Sequence, residues 1–123
     1  MSVYKVANMA DITGLTPHTL RYYEKELLLL DVPRDSSGHR YYSEDHLAAV
    51  KFISALRATN MSIETIKEYI SLYRQGSNTS PARMSILKDH EHLVMKHLED
   101  VKSSLKMIRK KIQRYEASLR VMP

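Results

Sequence analysis

The stretch Gly14-Leu-Thr-Pro-His-Thr-Leu-Arg-Tyr-Tyr-Glu24 decides how the chain is organised, because it has the features of a short helix that follows a turn. Thr16 is a good N-cap residue, and Pro17 suits the first helical position, where a missing N–H costs nothing. Helical spacing divides the side chains into two faces. The apolar face consists of Leu20, Tyr23 and Leu27. The polar face consists of Pro17, His18, Arg21 and Tyr22.

The polar face of this helix carries a guanidinium, a phenol and an imidazole. Such groups can hydrogen-bond base edges and phosphates when a helix lies in a DNA major groove, which is about 12 Å wide. Tyr4 to Asp11 has apolar residues at helical spacing, and the turn signal Thr13-Gly14 follows it, as in a helix-turn-helix. An ordinary amphipathic surface helix is the alternative. The predicted DNA contacts from this helix are Thr16, Pro17, His18, Thr19, Arg21 and Tyr22.

Residues 31–42 predict a short β-hairpin. Pro33 blocks continuation of a helix, and Asp35-Ser-Ser-Gly38 is a turn between Arg34 and Arg40. The surface of this hairpin is basic and aromatic, so it can lie along a phosphate backbone or reach into the minor groove. A plain connector is the alternative. The predicted DNA contacts from the hairpin are Arg34, Arg40, Tyr41 and Tyr42.

Composition limits the possible functions. The chain has no cysteine, which excludes disulfides, thiolate metal sites and thiol redox sensing. Helix formers dominate, so a mainly α fold is expected. No apolar window is long enough for a membrane span and no signal peptide precedes the first helix, so we expect a cytoplasmic protein without a membrane partner. The net charge of +5 fits a nucleic-acid binder, although residues 1–57 hold seven basic and seven acidic side chains.

Two further helices are predicted to complete the head of the molecule. Ser43 caps the first, whose inward face is expected to include Leu47, Val50, Ile53, Ala55 and Leu56. Asn60 ends it, because asparagine tolerates a left-handed conformation. Ser62 caps the second helix, which stops at Gly76. Arg57 is expected near phosphates beside this turn and completes the predicted DNA contacts.

The last third of the chain predicts a dimerisation helix. We expect a head over residues 1–76, a polar hinge at 77–80, a helix over 81–119 and a tail at 120–123. Apolar residues alternate three and four apart along this helix, with Glu91 as an exception. A helix of about 36 residues is about 54 Å long, so a small head cannot bury this stripe and a two-fold dimer is expected. The predicted dimer contacts are Leu87, Val94, Leu98, Val101, Leu105, Ile108, Ile112 and Tyr115.

Motifs over nearly the whole chain together resemble the signature of the MerR family of bacterial transcription regulators. They are Ala10, Gly14 to Thr16, Thr19 to Glu24, Pro33-Arg34, Gly38 to Arg40 with Tyr42, and Arg57 to Ile63. Phe52-Ile53, Tyr73 to Gly76, Ala82-Arg83 and Tyr115-Glu116 are similar to its short aldehyde- or thiol-stress-responsive subgroup. The resemblance implies a winged helix-turn-helix head and an antiparallel coiled-coil homodimer. It also implies a double-stranded promoter operator that the dimer bends and untwists for RNA polymerase.

The chain departs from the family pattern at two positions. Ala55 stands at the position matched to the reactive cysteine of the subgroup, so the effector is unknown and not thiol-based. Leu27 stands where the family usually has glycine, and a left-handed leucine costs about 1–2 kcal/mol. The recognition helix is therefore expected to run on by a residue or to exit differently. His90 and His97 lie about 10.5 Å apart along one helix, too far for one ion within that helix, although a second chain could complete a site. Surface histidines beside the heptads are the favoured interpretation, so no metal site and no cofactor are predicted.

Three function classes follow from these features. The favoured class is a dimeric, sequence-specific transcription regulator that binds a pseudo-palindromic operator in a promoter spacer. An architectural DNA-binding protein of the excisionase type is the alternative, and the long heptad helix argues against it. An enzyme is not expected, because the chain lacks a phosphate-binding glycine loop, a metal-binding histidine pair and a nucleophile beside a base.

Overall fold

The structure, a computed structural model, describes residues 3–121 and divides the chain into two compact units, Met1–Arg83 and Met84–Pro123. The elements of the first unit are β1 (Val3–Lys5), α1 (Val6–Thr13), α2 (Pro17–Lys25), β2 (Tyr41–Ser43), α3 (Glu44–Ala58), α4 (Ile63–Arg74) and a 3-10 turn (Ser77–Thr79). The helix α5 (Ser80–Arg120) starts at the end of the first unit and forms the second. The predicted mainly α fold, with a winged helix-turn-helix followed by a long helix, is confirmed.

The helix-turn-helix consists of α1 and α2. α1 stops at Gly14, whose φ of 73° is left-handed and whose N–H donates to the Ala10 carbonyl at 2.9 Å. Thr16 caps α2 as predicted, because its hydroxyl accepts from the Thr19 N–H at 3.1 Å. Leu20 is fully buried and Tyr23 nearly so, which confirms two members of the predicted apolar face. Burial raises the pKa of the Tyr23 phenol.

The wing, residues 33–43, differs from the predicted hairpin in its pairing. Arg34 and Arg40 form a single antiparallel bridge across the turn, and β2 pairs with β1 over Val3–Lys5. The prediction that Tyr4 and Lys5 begin a helix was therefore wrong. β1 has only three residues, which is too short to show the two-residue alternation typical of a strand. Its partner β2 lies some forty residues away in the sequence.

Tyr42 belongs to the core and not to a surface for contacts. The register of β2 places it opposite Tyr4, and it is 0% exposed. The prediction of Tyr42 as a DNA contact was wrong, because consecutive strand residues face opposite sides and Tyr42 takes the inward one. Burial raises the pKa of its phenol, and the Tyr42 hydroxyl makes no hydrogen bond to the described residues.

The helices α3 and α4 close this core. Ser43 accepts from the His46 N–H at 3.2 Å and Ser62 from the Thr65 N–H at 3.1 Å, so both predicted caps are confirmed. The buried apolar side chains are Met9, Leu20, Tyr23, Leu28, Leu29, Tyr42, Leu47, Val50, Ile53, Leu56, Met61 and Ile66. Ala55 was wrongly predicted to face inward. It is exposed, because it shares the outer face of α3 with Ala48 and Phe52.

Two helices end in the same left-handed turn. After α3, Asn60 has a φ of 71°, as predicted, and the Met61 N–H reaches back to the Leu56 carbonyl at 2.9 Å. After α2, Leu27 has a φ of 61° and the Leu28 N–H donates to the Tyr23 carbonyl at 2.9 Å. α2 therefore neither runs on by a residue nor avoids the left-handed exit, so both expected alternatives were wrong.

The left-handed conformation strains Leu27. The Leu27 side chain is 60% exposed, so its assignment to the apolar face of α2 was wrong. The turn persists because it carries the chain back into the core. Leu28 and Leu29, which follow directly, are each only 2% exposed.

The segment predicted as a polar hinge forms a 3-10 turn. Thr79 is buried, and its hydroxyl donates to the Leu72 carbonyl at 2.6 Å. Arg83 donates to the Thr79 hydroxyl at 3.0 Å, and its guanidinium lies 5.2 Å from the centre of the Tyr73 ring. Ser80 is already helical, so α5 begins one residue before the predicted start.

α5 has 41 residues and is therefore about 62 Å long. It continues to Arg120, where a tail was predicted, and Met122 and Pro123 of that tail lie outside the described residues. None of the described α5 side chains is buried. A helix of this length with no buried face lacks the tertiary packing that stabilises most helices in proteins.

We expect Leu27→Gly to stabilise the protein by about 1 kcal/mol, because glycine removes the steric cost of the left-handed turn at a side chain that buries little surface. Urea unfolding measures the change. Asn60→Gly is the matched control and should gain less, since asparagine already tolerates this conformation. An unchanged or lower midpoint for Leu27→Gly would show that the leucine side chain contributes more than its strain costs.

We expect Tyr42→Phe to leave stability unchanged or to raise it by up to about 1 kcal/mol, because it keeps the ring and removes a buried hydroxyl that has no hydrogen-bond partner within residues 3–121. Tyr4→Phe is the control and should destabilise slightly, since the Tyr4 hydroxyl donates to Glu44 at 2.6 Å. Thermal unfolding distinguishes the two variants. A marked loss for Tyr42→Phe would mean that its hydroxyl is hydrogen-bonded in solution.

Candidate nucleic-acid interface

The outer face of α2 is available for contacts because its opposite face is fixed in the core. Burial of Leu20 and Tyr23 sets the rotation of the helix about its axis. The side chains that remain exposed are Thr16, Pro17, His18, Arg21 and Tyr22, with Thr19 half-buried beside them. This first turn holds no acidic residue, so the positive end of the helix dipole is available to an anion.

The turn of the wing is held by local hydrogen bonds. The Asp35 carboxylate accepts the backbone N–H groups of His39 and Ser37 at 2.9 Å each, which lowers the pKa of Asp35. Arg34 donates to the Gly38 carbonyl at 3.1 Å, and Gly38 has a φ of 83°. Arg34 thus supports the turn with part of its guanidinium and is itself exposed.

β1, the start of α1, α2 and the wing together line a groove of about 820 Å³. Three predicted contacts meet there, Arg21 from α2 with Arg40 and Tyr41 from the wing. Lys5 and His39 also line it, and Lys5 was not among the predicted contacts. Asp35 is the acidic residue of the lining, and its carboxylate is occupied by the turn. The groove is therefore a concave surface with cations on both sides, suited to a phosphate backbone.

Lys5 was missed because β1 was read as the start of a helix. The run Val3-Tyr-Lys-Val6 is rich in β-branched and aromatic residues, which is a weak strand signal. It becomes informative only when β2 is known to pair with it, since Lys5 lies opposite Tyr41 in that register.

An ion pair joins the end of α2 to the wing. Nε of Arg40 lies 2.5 Å from Oε2 of Glu24, and each side chain is about a quarter exposed, at 22% and 25%. Sequence reasoning did not assign a role to Glu24. The two residues are sixteen apart in sequence, so no local pattern indicates their contact.

A second ion pair joins the exit of α2 to α4. Nζ of Lys67 donates to Glu26 at 2.7 Å, which lowers the pKa of Glu26 and raises that of Lys67. Arg57 is exposed near the start of α4 and donates to the Met61 carbonyl at 2.8 Å. It does not line the groove, so its predicted role as a DNA contact stays a prediction.

The predicted dimer contacts lie along α5 with little cover. Leu87 and Val94 are half-buried, and the six from Leu98 to Tyr115 are between 41% and 62% exposed. Over residues 3–121 no group of three histidine, cysteine or acidic side chains is placed to hold a metal ion. No helix in that range is long and apolar enough to cross a membrane.

Comparison with known proteins identifies relatives with this architecture. The sequence profile of the MerR HTH family regulatory proteins matches residues 4–72, and the MerR, DNA binding profile matches residues 47–121. The HTH-type transcriptional regulator AdhR of Bacillus subtilis is 42% identical over 84 residues, which span 68% of this chain and 60% of AdhR. YyaN of the same organism, an uncharacterized HTH-type transcriptional regulator, is 34% identical over 80% of this chain and 75% of its own length.

Solved structures agree with the sequence comparison. HiNmlR, a MerR family regulator lacking the sensor domain and bound to promoter DNA, aligns with a TM-score of 0.87 at 28% identity, over 98% of this chain and 95% of HiNmlR. A putative MerR family transcriptional regulator from Listeria monocytogenes aligns with a TM-score of 0.84 at 27% identity, over 94% and 88% of the two chains. The chain belongs to the MerR family of helix-turn-helix regulatory proteins.

Proposed function

We propose that this protein is a dimeric, sequence-specific DNA-binding transcription regulator that acts on a pseudo-palindromic operator in a promoter spacer. The observation that carries the proposal is the groove in which Arg21 of α2 lies with Arg40 and Tyr41 of the wing. A recognition helix and a basic wing on one surface can engage a major groove and the adjoining phosphates at the same time.

The two elements divide the contacts by chemistry. His18, Arg21 and Tyr22 project from α2 and would read base edges, for which the guanidinium of Arg21 is the best donor. Thr16, Pro17 and Thr19, at the start of the helix, would meet a phosphate there. Arg34, Arg40 and Tyr41 in the wing, with Lys5 of β1, would contact the phosphate backbone of the DNA. Arg57 would add a phosphate contact near α4.

Similarity supports the DNA-bound state. HiNmlR, which matches this chain over nearly its full length, was solved bound to promoter DNA. The relatives of this chain are transcription regulators, which supports a role without enzymatic activity. We also propose a cytoplasmic location, where promoter DNA and RNA polymerase are found. The long helix α5 favours this regulator over the architectural alternative, because a dedicated dimeriser defines two half-sites.

Antiparallel pairing of α5 is supported by its charge distribution. Residues 84–101 hold two basic and four acidic side chains, whereas residues 102–120 hold seven basic and one acidic. A parallel dimer would place the basic halves against each other. An antiparallel dimer places each basic half against the acidic half of the partner, and the apolar stripe is buried in either case.

The mechanism we propose is deformation of the operator. A two-fold dimer presents two α2 helices to successive turns of one DNA face, so the half-sites lie about one helical turn, or a multiple of it, apart. Bending and untwisting an overlong spacer would bring the two polymerase elements into phase. Many phosphate contacts can offset a deformation energy of about 1–6 kcal/mol.

Selection of bound sites from random duplex DNA tests the proposal directly, followed by footprinting on promoter regions that contain the enriched sequence. The expected result is a pseudo-palindrome protected across a promoter spacer. Enrichment of no sequence by the folded, dimeric protein would favour the architectural alternative.

We expect Arg21→Ala to weaken binding to the enriched duplex by about 1–3 kcal/mol, because it removes a guanidinium from the centre of the reading surface. Fluorescence anisotropy at fixed salt measures the affinity. Lys88→Ala on α5 removes the same charge from the second unit and serves as the control. Affinity of Arg21→Ala equal to that of the control would exclude Arg21 from the contacts.

We expect the double substitution Leu105→Glu and Ile108→Glu to give a monomer that binds the duplex weakly, because two carboxylates cannot be buried in the stripe. Sedimentation equilibrium measures the mass. Met107→Glu, at a neighbouring position that is 73% exposed and off the stripe, should remain dimeric. A dimeric double variant would show that the interface lies elsewhere.

A further inference from the structure

We propose that Glu24 is a positioning residue that holds the guanidinium of Arg40 in the orientation required to bind a DNA phosphate. The inference deepens the proposed function and depends on it. Its consequence is that α2 and the wing dock on the duplex as one unit, because Glu24, in the last turn of α2, also holds the guanidinium of Arg40 in the wing.

The geometry assigns the two edges of the guanidinium to different partners. Glu24 accepts from Nε, at the inner end of the group. Arginine presents five N–H donors in a rigid fork, so four remain on the two terminal nitrogens. Arg40 lines the basic groove, and those nitrogens are the ones available to a phosphate there.

The backbone of Arg40 is fixed as firmly as its side chain. Arg40 forms the antiparallel bridge with Arg34, and the next residue, Tyr41, donates its N–H to the Pro33 carbonyl at 3.1 Å. Tyr42 then anchors the strand in the core at 0% exposure. Arg40 is thus held at its main chain by the bridge to Arg34 and at its guanidinium by Glu24.

Arg21 of the groove and Arg34 of the wing have no such support, because neither is paired with a carboxylate among the described residues. Arg34 donates to a backbone carbonyl of its own exposed turn, and Arg21 is exposed on α2. An arginine that is already ordered loses less conformational freedom when it binds a phosphate. The side chain of Arg40 is therefore the preorganised cation of the groove.

A carboxylate beside a DNA phosphate would by charge alone weaken binding. Removal of the Glu24 charge would then strengthen binding. If Glu24 positions Arg40, its removal weakens binding instead, so the two explanations predict opposite changes in affinity. Glu26 provides the matched control: it is also near the end of α2 and also paired with a cation, but its partner is Lys67 of α4. Glu24→Gln and Glu26→Gln remove the same charge, and only the first weakens the acceptor that holds Nε of Arg40.

The experiment measures binding of the dimeric protein to the enriched duplex over a range of salt concentrations. Glu24→Gln is expected to bind about tenfold more weakly than wild type, with the same slope of log affinity against log salt, because no phosphate contact is lost. Glu24→Asp should recover part of the loss. Glu26→Gln should bind like wild type or slightly more tightly. Arg40→Ala should lose affinity and reduce the salt slope by about one.

A double-mutant cycle separates positioning from a general structural role. If Glu24 acts through Arg40, the variant that carries both Glu24→Gln and Arg40→Ala should bind like Arg40→Ala alone. Additive losses, or a Glu24→Gln variant that binds as tightly as wild type, would overturn the inference and leave the proposed function intact. A wild-type protein that binds no duplex overturns both.

Discussion

Burial of Leu20 and Tyr23 is the constraint on which the reading surface depends. These two side chains fix the rotation of α2, and the left-handed turn at Leu27 then returns the chain so that Leu28 and Leu29 pack into the same core. With the inner face fixed, Arg21 can only point outward. The turn at Leu27 thus sets the direction in which the chain leaves α2 toward the wing.

The head achieves a basic groove without a basic composition. Residues 1–57 are neutral by count, yet Lys5, Arg21 and Arg40 converge on one groove. The nearby acids are occupied, Asp35 by two backbone N–H groups of its own turn and Glu24 by Arg40. Local arrangement, rather than net charge, therefore creates the electrostatic footprint proposed for DNA. This also keeps the folded head free of the self-repulsion that a strongly cationic surface would cause.

Features that depend on neighbouring residues could be predicted from the sequence, and features that depend on distant pairing could not. The caps at Thr16, Ser43 and Ser62 follow from residue type and position, and so does the left-handed Asn60. The strand pair β1–β2 and the contact of Glu24 with Arg40 join residues far apart in sequence. Tyr42 was predicted as a surface hydrogen-bond donor because it lies in a basic segment. Its residue type does not reveal which face of the strand its side chain occupies.

The long helix couples assembly to recognition in the proposed function. α5 has no buried side chain among its described residues, so its apolar stripe needs a second chain to remove it from water. The same association supplies the second recognition helix. Folding of α5, dimerisation and operator binding are then thermodynamically coupled, and the extent of each rises with protein concentration by mass action. A monomer would bind the operator much more weakly than the dimer, because one head makes half of the phosphate contacts and cannot benefit from the high effective concentration of a linked second head.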